Sequence, residues 1–153
     1  MGFQNSSRIV FGSGAFILDF PATGAHLVRL ELRDKRGRLL SGNVYWHARD
    51  EHWLQQLNSA PEVALAAKIS ISHGANGASA EIKVSNPGKI PALAVHLTLR
   101  DKAGQRILPV YYDDNFFSLL PGESRTVHLE TRTADKDLHV SADGWNVKSG
   151  DLD

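Results

Sequence analysis

The sequence predicts an all-β protein on three observations: short runs in which apolar and polar residues alternate, turn-forming clusters of Gly, Pro, Asn and Asp roughly every 8 to 12 residues, and a helical period at a single place. From residue 61 onward about seven such runs follow one another, the pattern of an immunoglobulin-like β-sandwich. The first 60 residues hold only about three or four runs, too few to close two facing sheets. They read as a partial second β-sandwich unit, joined to the first by a short helical connector. The expected division is therefore 1–60, 61–147, and a disordered tail at 148–153.

Taken in order, an apolar piece at Arg8 to Phe11 and a Gly-Ser-Gly turn lead to Ala15 to Phe20, where Phe16, Leu18 and Phe20 share one face and Pro21 ends the strand. His26 to Arg33 alternates cleanly, with Val28, Leu30 and Leu32 expected inward and Leu27, Arg29, Glu31 and Arg33 outward. Asp34-Lys35-Arg36-Gly37 makes a hairpin loop, and Leu39 to Trp46 returns. Between Arg49 and Asn58 the period changes: Trp53, Leu54 and Leu57 fall on one side of a helical wheel, and Asp50 stands where an N-cap belongs. One or two turns of helix are expected, closed by a connector that ends at Pro61.

Strand alternation resumes in Leu65 to Ser72, with Leu65, Ala67, Ile69 and Ile71 on one face. His73-Gly74-Ala75-Asn76-Gly77 makes a hairpin turn, with Asn76-Gly77 the strongest short signal for one, and Ala78 to Ser85 returns with Ala80, Ile82 and Val84 inward. Ala92 to Arg100 carries the most regular apolar face, Leu93, Val95, Leu97 and Leu99, and is expected at the centre of the core. The chain is organised around Ile107 to Arg125. There Val110, Tyr111 and Tyr112 favour a half-buried strand, while Asp113, Asp114 and Asn115 are turn formers that end regular pairing. Phe116 and Phe117 return to apolar ground, and Pro121-Gly122 fits the two central positions of a type II turn. Val127 and Leu129 face inward on the next strand, and Leu138 and Val140 lead to Gly144-Trp145-Asn146 on the last.

The totals exclude several function classes. With 153 residues and 42% of them hydrophobic, the chain can bury a core without staples. Seventeen basic and seventeen acidic residues cancel and are interspersed, which removes the electrostatic footprint of a nucleic-acid binder or of an anionic membrane surface. No apolar run approaches the roughly 20 residues of a transmembrane helix, and MGFQNSSRIVF lacks the features of a signal peptide. Zero cysteines exclude disulfides, thiolate metal sites and cysteine nucleophiles but leave the compartment open. No phosphate-binding loop between strand and helix and no Gly-x-Ser-x-Gly elbow occurs, so neither a cofactor nor independent catalysis is expected.

One stretch recurs. Leu30-Glu31-Leu32-Arg33-Asp34-Lys35 with Gly37 returns 67 positions later as Leu97-Thr98-Leu99-Arg100-Asp101-Lys102 with Gly104, and Tyr45 and Tyr112 keep the offset. The repeat reads either as two related sandwich units in tandem or as recurrence of a favoured hairpin turn.

The candidate contact residues cluster in the organising stretch. Tyr111, Tyr112, Phe116 and Phe117 offer aromatic faces that serve core packing, docking on another domain, or stacking on sugar rings. Asp113, Asp114 and Asn115 have hard oxygens suited to calcium, but three adjacent residues fall short of its six to eight ligands, and turn capping is the simpler role. His96 and His128 lie opposite the apolar faces of strands that would be neighbours, yet no third metal ligand accompanies them. Trp145 is expected to cover one end of the sandwich, with a ligand platform as the second reading. Asn5-Ser6-Ser7 matches a glycosylation acceptor in letters only.

Asn43-Val44-Tyr45-Trp46, Leu57-Asn58-Ser59, Val110 to Asn115, Ser118-Leu119-Leu120-Pro121-Gly122-Glu123 and Gly144-Trp145-Asn146 together resemble the C-terminal end of family 2 glycoside hydrolases of the exo-β-glucosaminidase and β-mannosidase type. In that family a sugar-binding-like sandwich, an immunoglobulin-like domain, a (β/α)8 barrel and two further immunoglobulin-like domains follow in order. Residues 25–60 are similar to the last strands of the penultimate domain and residues 61–147 to the final one. The short segment after Trp46 leans towards the β-mannosidase side.

The resemblance implies a parent enzyme that retains configuration, with two catalytic glutamates in the barrel. A barrel of about 250 residues cannot fit here, and no glutamate of this chain matches the family's catalytic motifs. The implied role is non-catalytic: packing against the barrel and the neighbouring sandwich, with Tyr111, Tyr112, Asp113, Asp114, Asn115, Phe116, Phe117 and Trp145 as candidates for inter-domain or weak sugar contact. The parent would be a periplasmic or secreted bacterial enzyme. A free-standing carbohydrate-binding module and a generic cell-surface spacer are the alternatives from other classes.

Overall fold

The computed structural model describes residues 23–152. The strands expected at Arg8 to Phe11 and Ala15 to Phe20, and the Asn5-Ser6-Ser7 triplet, lie outside the described residues. The chain is all-β with one short helix, as expected. Strands β1 (His26–Arg33) and β2 (Leu39–His47) form a two-stranded antiparallel sheet. Helix α1 (Glu51–Gln55) starts at Asp50, whose Oδ1 accepts from the His52 N–H at 3.0 Å, and it runs into a 3₁₀ turn at Gln56–Ser59.

The sandwich consists of β3 (Ala66–Gly74), β4 (Gly77–Ser85), β5 (Ala92–Arg100), β6 (Val110–Tyr112), β7 (Phe117–Leu119), β8 (Ser124–Thr131), β9 (His139–Asp143) and β10 (Gly150–Asp151). One sheet has the order β3-β4-β8-β6 and the other β10-β9-β5-β7. Period-two alternation sends Ile82 and Val84 of β4 and Val127 and Leu129 of β8 against Val95, Leu97 and Leu99 of β5 and Val140 of β9, all essentially buried. Two buried asparagines pin the sandwich ends. Asn146 accepts from Leu93 N–H at 2.9 Å and donates to the carbonyls of Pro61 and Pro91. Asn86 donates to Ile90 and Leu119 and accepts from Gly88 N–H. Neither leaves a polar atom stranded in the core.

Both copies of the repeat fold into the same loop. Asp34 Oδ1 accepts from the N–H groups of Arg36 and Arg38, and Asp101 Oδ1 from those of Ala103 and Gln105. Arg33 donates to the Gly37 carbonyl and Arg100 to that of Gly104, each at 2.9 Å, with the two glycines at φ 80° and 79°. After the first loop the chain returns as β2. After the second it pairs only briefly with β5, at Arg100 and Arg106, and crosses to the other sheet as β6.

Three local expectations are corrected. Val28, Leu30 and Leu32 do not face the sandwich; Leu30 and Leu32 are 42% and 62% exposed, while Arg29 on the opposite face reaches Glu123. Alternation fixes which residues share a face but not which face is covered. The hairpin turn expected over His73 to Gly77 is present, with Ala75 and Asn76 at its tip, since Gly74 pairs with Gly77. His96 and His128 are not neighbours, because β5 and β8 belong to different sheets. The segment 148–153, expected to be disordered, pairs in part: Lys148 N–H donates to Val63, Gly150–Asp151 forms β10 on β9, and Leu152 N–H donates to Val140.

Candidate functional site

The corner between β6 and β7 is built by three consecutive polar side chains. Asp113 accepts from His128 N–H at 2.8 Å and meets the His128 imidazole at 2.7 Å. Burial works against the Asp113 carboxylate, but the His128 bonds prevail and hold it below its usual range. Asp114 forms an ion pair with Arg125, whose guanidinium lies 5.1 Å from the centre of the Phe117 ring. Asn115 turns its amide onto Leu97 of β5. All three are thus engaged as turn and strand anchors, and among the described residues no group of three or more acidic or histidine side chains could hold a metal ion.

The four aromatics of the corner separate into two pairs. Phe117 is buried in the core, and Tyr112 is half-buried with its hydroxyl accepting from Leu99 N–H at 3.0 Å; burial pushes its phenol up. Tyr111 and Phe116 point outward, 69% and 68% exposed. Phe116 adopts φ 58° and stacks on His96, with ring centroids 4.5 Å apart and planes 10° from parallel. His96 in turn meets Asp143 at 3.2 Å.

Opposite this corner stands the β1–β2 hairpin, and the two walls enclose an open cleft of about 770 Å³. Arg29, Glu31, Val44 and Trp46 line one side, and Asn115, Phe116 and Glu123 the other. The seam is held at two points. Arg29 grips Glu123 through both carboxylate oxygens, the Nη2 to Oε2 distance being 2.7 Å, and this pairing lowers the Glu123 carboxyl and raises the Arg29 guanidinium. Trp46 packs edge-on against Trp145 with centroids 5.4 Å apart, while Trp145 Nε1 donates to the Leu57 carbonyl at 3.1 Å. Trp145 therefore joins the two regions and does not simply lid the sandwich.

The expected contact residues are thus brought to one side of the molecule only in part. Asp113 and Tyr111 lie on β6 and its edge, Phe116 on the cleft, and Trp145 at the seam. Arg29, Glu123, Trp46 and Asp143 were not singled out as contact residues, and His96 was weighed only as a metal partner of His128. Nothing in an alternating strand marks Arg29, whereas the glutamate that follows Pro121-Gly122 was a visible signal, because its Oε2 also accepts from Leu120 N–H across the turn at 2.8 Å.

These features define a class: an immunoglobulin-like sandwich with a docked hairpin, carrying ion pairs and stacking faces but, among the described residues, no constellation of nucleophile, acid and base. A model of the exo-β-D-glucosaminidase Ig-fold domain matches residues 43–147, and the chain belongs to that family. The exo-β-D-glucosaminidase of Streptomyces avermitilis is 35% identical over 80% of this chain and 16% of its own length. That of Amycolatopsis orientalis is 31% identical over 89% of this chain and 16% of its own. The crystal structure of Amycolatopsis orientalis exo-chitosanase CsxA superposes with a TM-score of 0.75 at 29% identity, covering 85% of this chain and 18% of that one. The chain thus spans about one sixth of the length of these curated relatives. They are glucosaminidases, not the β-mannosidases towards which the short segment after Trp46 leaned. The chain is a non-catalytic accessory module of the kind associated with exo-β-D-glucosaminidases.

Proposed function

We propose that this chain is accessory structure within a larger retaining glycosidase of family 2 that acts on β-glucosaminides. In this reading residues 61–147 are one immunoglobulin-like domain, residues 1–60 close the domain before it, and both brace a separate catalytic barrel. The observation that carries it is the bare face of the β1–β2 sheet. Pairing of Val28 with Tyr45 places Val28, Leu30, Leu32 and Tyr45 on one side, and the last three are 42%, 62% and 50% exposed. A two-stranded sheet is marginal in water, and one that seats its charged face on the sandwich while baring its aliphatic face lacks its other layer among the described residues. The relatives favour β-glucosaminides over β-mannosides as the parent's substrate. Catalysis would belong to two barrel carboxylates, held about 5 to 5.5 Å apart in a retaining enzyme.

The test is to express the chain by itself and to combine it with the parent enzyme lacking this region. Binding of an apolar dye that disappears on association, with recovery of the enzyme's thermal stability, is the expected result. A strict monomer that binds no dye and leaves the truncated enzyme unchanged would overturn the reading.

A further inference from the structure

We infer that Phe116, seated on His96, is a non-catalytic platform for the protonated amino-sugar units of a β-linked glucosamine oligomer; the choice of an amino sugar rests on the function proposed above. The argument begins with the backbone. Phe116 holds φ at 58°, a region that disfavours a non-glycine residue and is an outlier for a bulky one. Its ring does little to repay that strain, because it is 68% exposed. Glycine would satisfy the turn with less strain, so the value of the ring lies in a contact outside the fold.

That ring is also immobilised. Its inner face lies on the His96 imidazole at 4.5 Å, the imidazole is held by Asp143 at 3.2 Å, and the Phe116 N–H donates to Asn115 Oδ1 at 3.0 Å. A rigid aromatic face loses little entropy on binding. The outer face opens on the cleft, with Trp46 on the opposite wall.

The surroundings select the ligand. A protein partner seeks a contiguous apolar patch, but the cleft that the ring lines intersperses Glu31, Asp114, Arg125, Arg29 and Glu123 with its apolar residues. A pyranose matches such a setting, since it offers one apolar face of about ring size and a polar edge that needs charged donors and acceptors. Each cleft carboxylate already has a guanidinium, Glu31 that of Arg33, Glu123 that of Arg29 and Asp114 that of Arg125, while Asp143, its side chain 45% exposed, meets the imidazole on which the ring stacks. The negative face of the aromatic ring favours a sugar carrying an ammonium group over a neutral one.

The experiment titrates the whole chain with a hexamer of β-1,4-linked glucosamine, following amide shifts by NMR and tryptophan fluorescence. Saturable binding with shifts centred on Ala94, His96, Phe116 and Asp143 is expected. Phe116→Gly should keep or raise the thermal midpoint while weakening binding at least about ten-fold, and Phe116→Leu should weaken it while keeping the bulk. Cellohexaose, with hydroxyls in place of amines, should bind at least about ten-fold more weakly. Unchanged affinity in both variants, equal binding of cellohexaose, or shifts spread without saturation over all surface carboxylates would each overturn the proposal. The dye and association test reads the far face of the β1–β2 hairpin, so failure there and failure here are distinguishable.

Discussion

Asn115 takes the place of a strand beside Leu97. Its Oδ1 accepts from the Leu97 N–H at 2.8 Å and its Nδ2 donates to the Leu97 carbonyl at 3.1 Å, so one side-chain amide reproduces the paired exchange of an antiparallel ladder. The need is local. The register between β5 and β7 shifts between Ala92 and Val95, Ala94 stands at φ 51°, and β7 begins only at Phe117. Without Asn115 the N–H and carbonyl of Leu97, a residue 1% exposed, would face the corner unpaired.

Asn115→Ala should therefore lower unfolding stability by roughly 2 to 4 kcal/mol, since two backbone groups lose partners at once. Urea denaturation checks this, with a reduced midpoint and an unchanged slope expected. Asn115→Asp should be nearly as damaging, because it restores the acceptor but sets a carboxylate oxygen against the Leu97 carbonyl. A variant within a few tenths of wild type would show that the corner is held by Asp113 and Asp114 instead.

Glu123 couples the hairpin to the sandwich through Arg29. Its pKa lies below the ordinary value of 4.5, chiefly through its hydrogen bonds to Arg29. A carboxylate with a depressed folded pKa contributes stability that is fully present above 4.5 and is lost as the pH falls through the lower, folded value. Hydrogen exchange of β1 and β2 should accordingly rise as the pH drops below that range, after correction for intrinsic rates. Glu123→Gln should show the faster exchange already at neutral pH and lose the acid dependence, while the β4 and β8 amides stay protected. Uniform loss of protection in both regions would mean that the seam is not an independent unit.

How much of this was legible depended on what each signal encodes. Ala92 to Arg100 could be read as the central strand because both of its neighbours lie in the fold and its apolar face is covered. His26 to Arg33 was equally regular, yet its covered side was misjudged, since period two is blind to which layer is present. The Asp34 loop and its recurrence at Asp101 were readable as one turn because that turn is closed by its own residues. The Phe116 stack on His96 was not: it depends on a left-handed backbone angle and on a strand 20 residues away in sequence, and adjacent Phe letters do not reveal which ring enters the core.

His128 supplies a pH dependence of opposite sign. Its bonds to Asp113, at 2.7 Å, and to Glu81, at 3.4 Å, raise its pKa above the ordinary 6.5. A raised folded pKa gives a contribution that is complete below 6.5 and fades as the pH climbs through the folded value. An NMR titration should find His128 midway above 6.5 and His128 in the Asp113→Asn variant displaced downward. A wild-type midpoint at or below 6.5 would remove the Asp113 pairing from the account.

Two glycines with positive φ should respond differently to alanine, and the contrast isolates packing from backbone strain. At Gly104, φ is 79° and a Cβ would meet nothing within 4 Å, so Gly104→Ala should lower stability by only about 1 kcal/mol, the strain of the left-handed region. At Gly77, φ is 145° and a Cβ would stand 2.0 Å from the Thr131 carbonyl oxygen, with the Thr131 and Arg132 backbone close behind. Backbone cannot swing aside as a flexible side chain can, and Thr131 pairs with both Ala78 and Val110. Gly77→Ala should therefore force β4 and β8 apart at the end of the sheet and lower stability by about 3 kcal/mol or more. Thermal or urea unfolding of the two variants side by side decides the matter: equal losses would mean that the end of β8 yields freely, and that β6, which hangs on it, is not fixed by this contact.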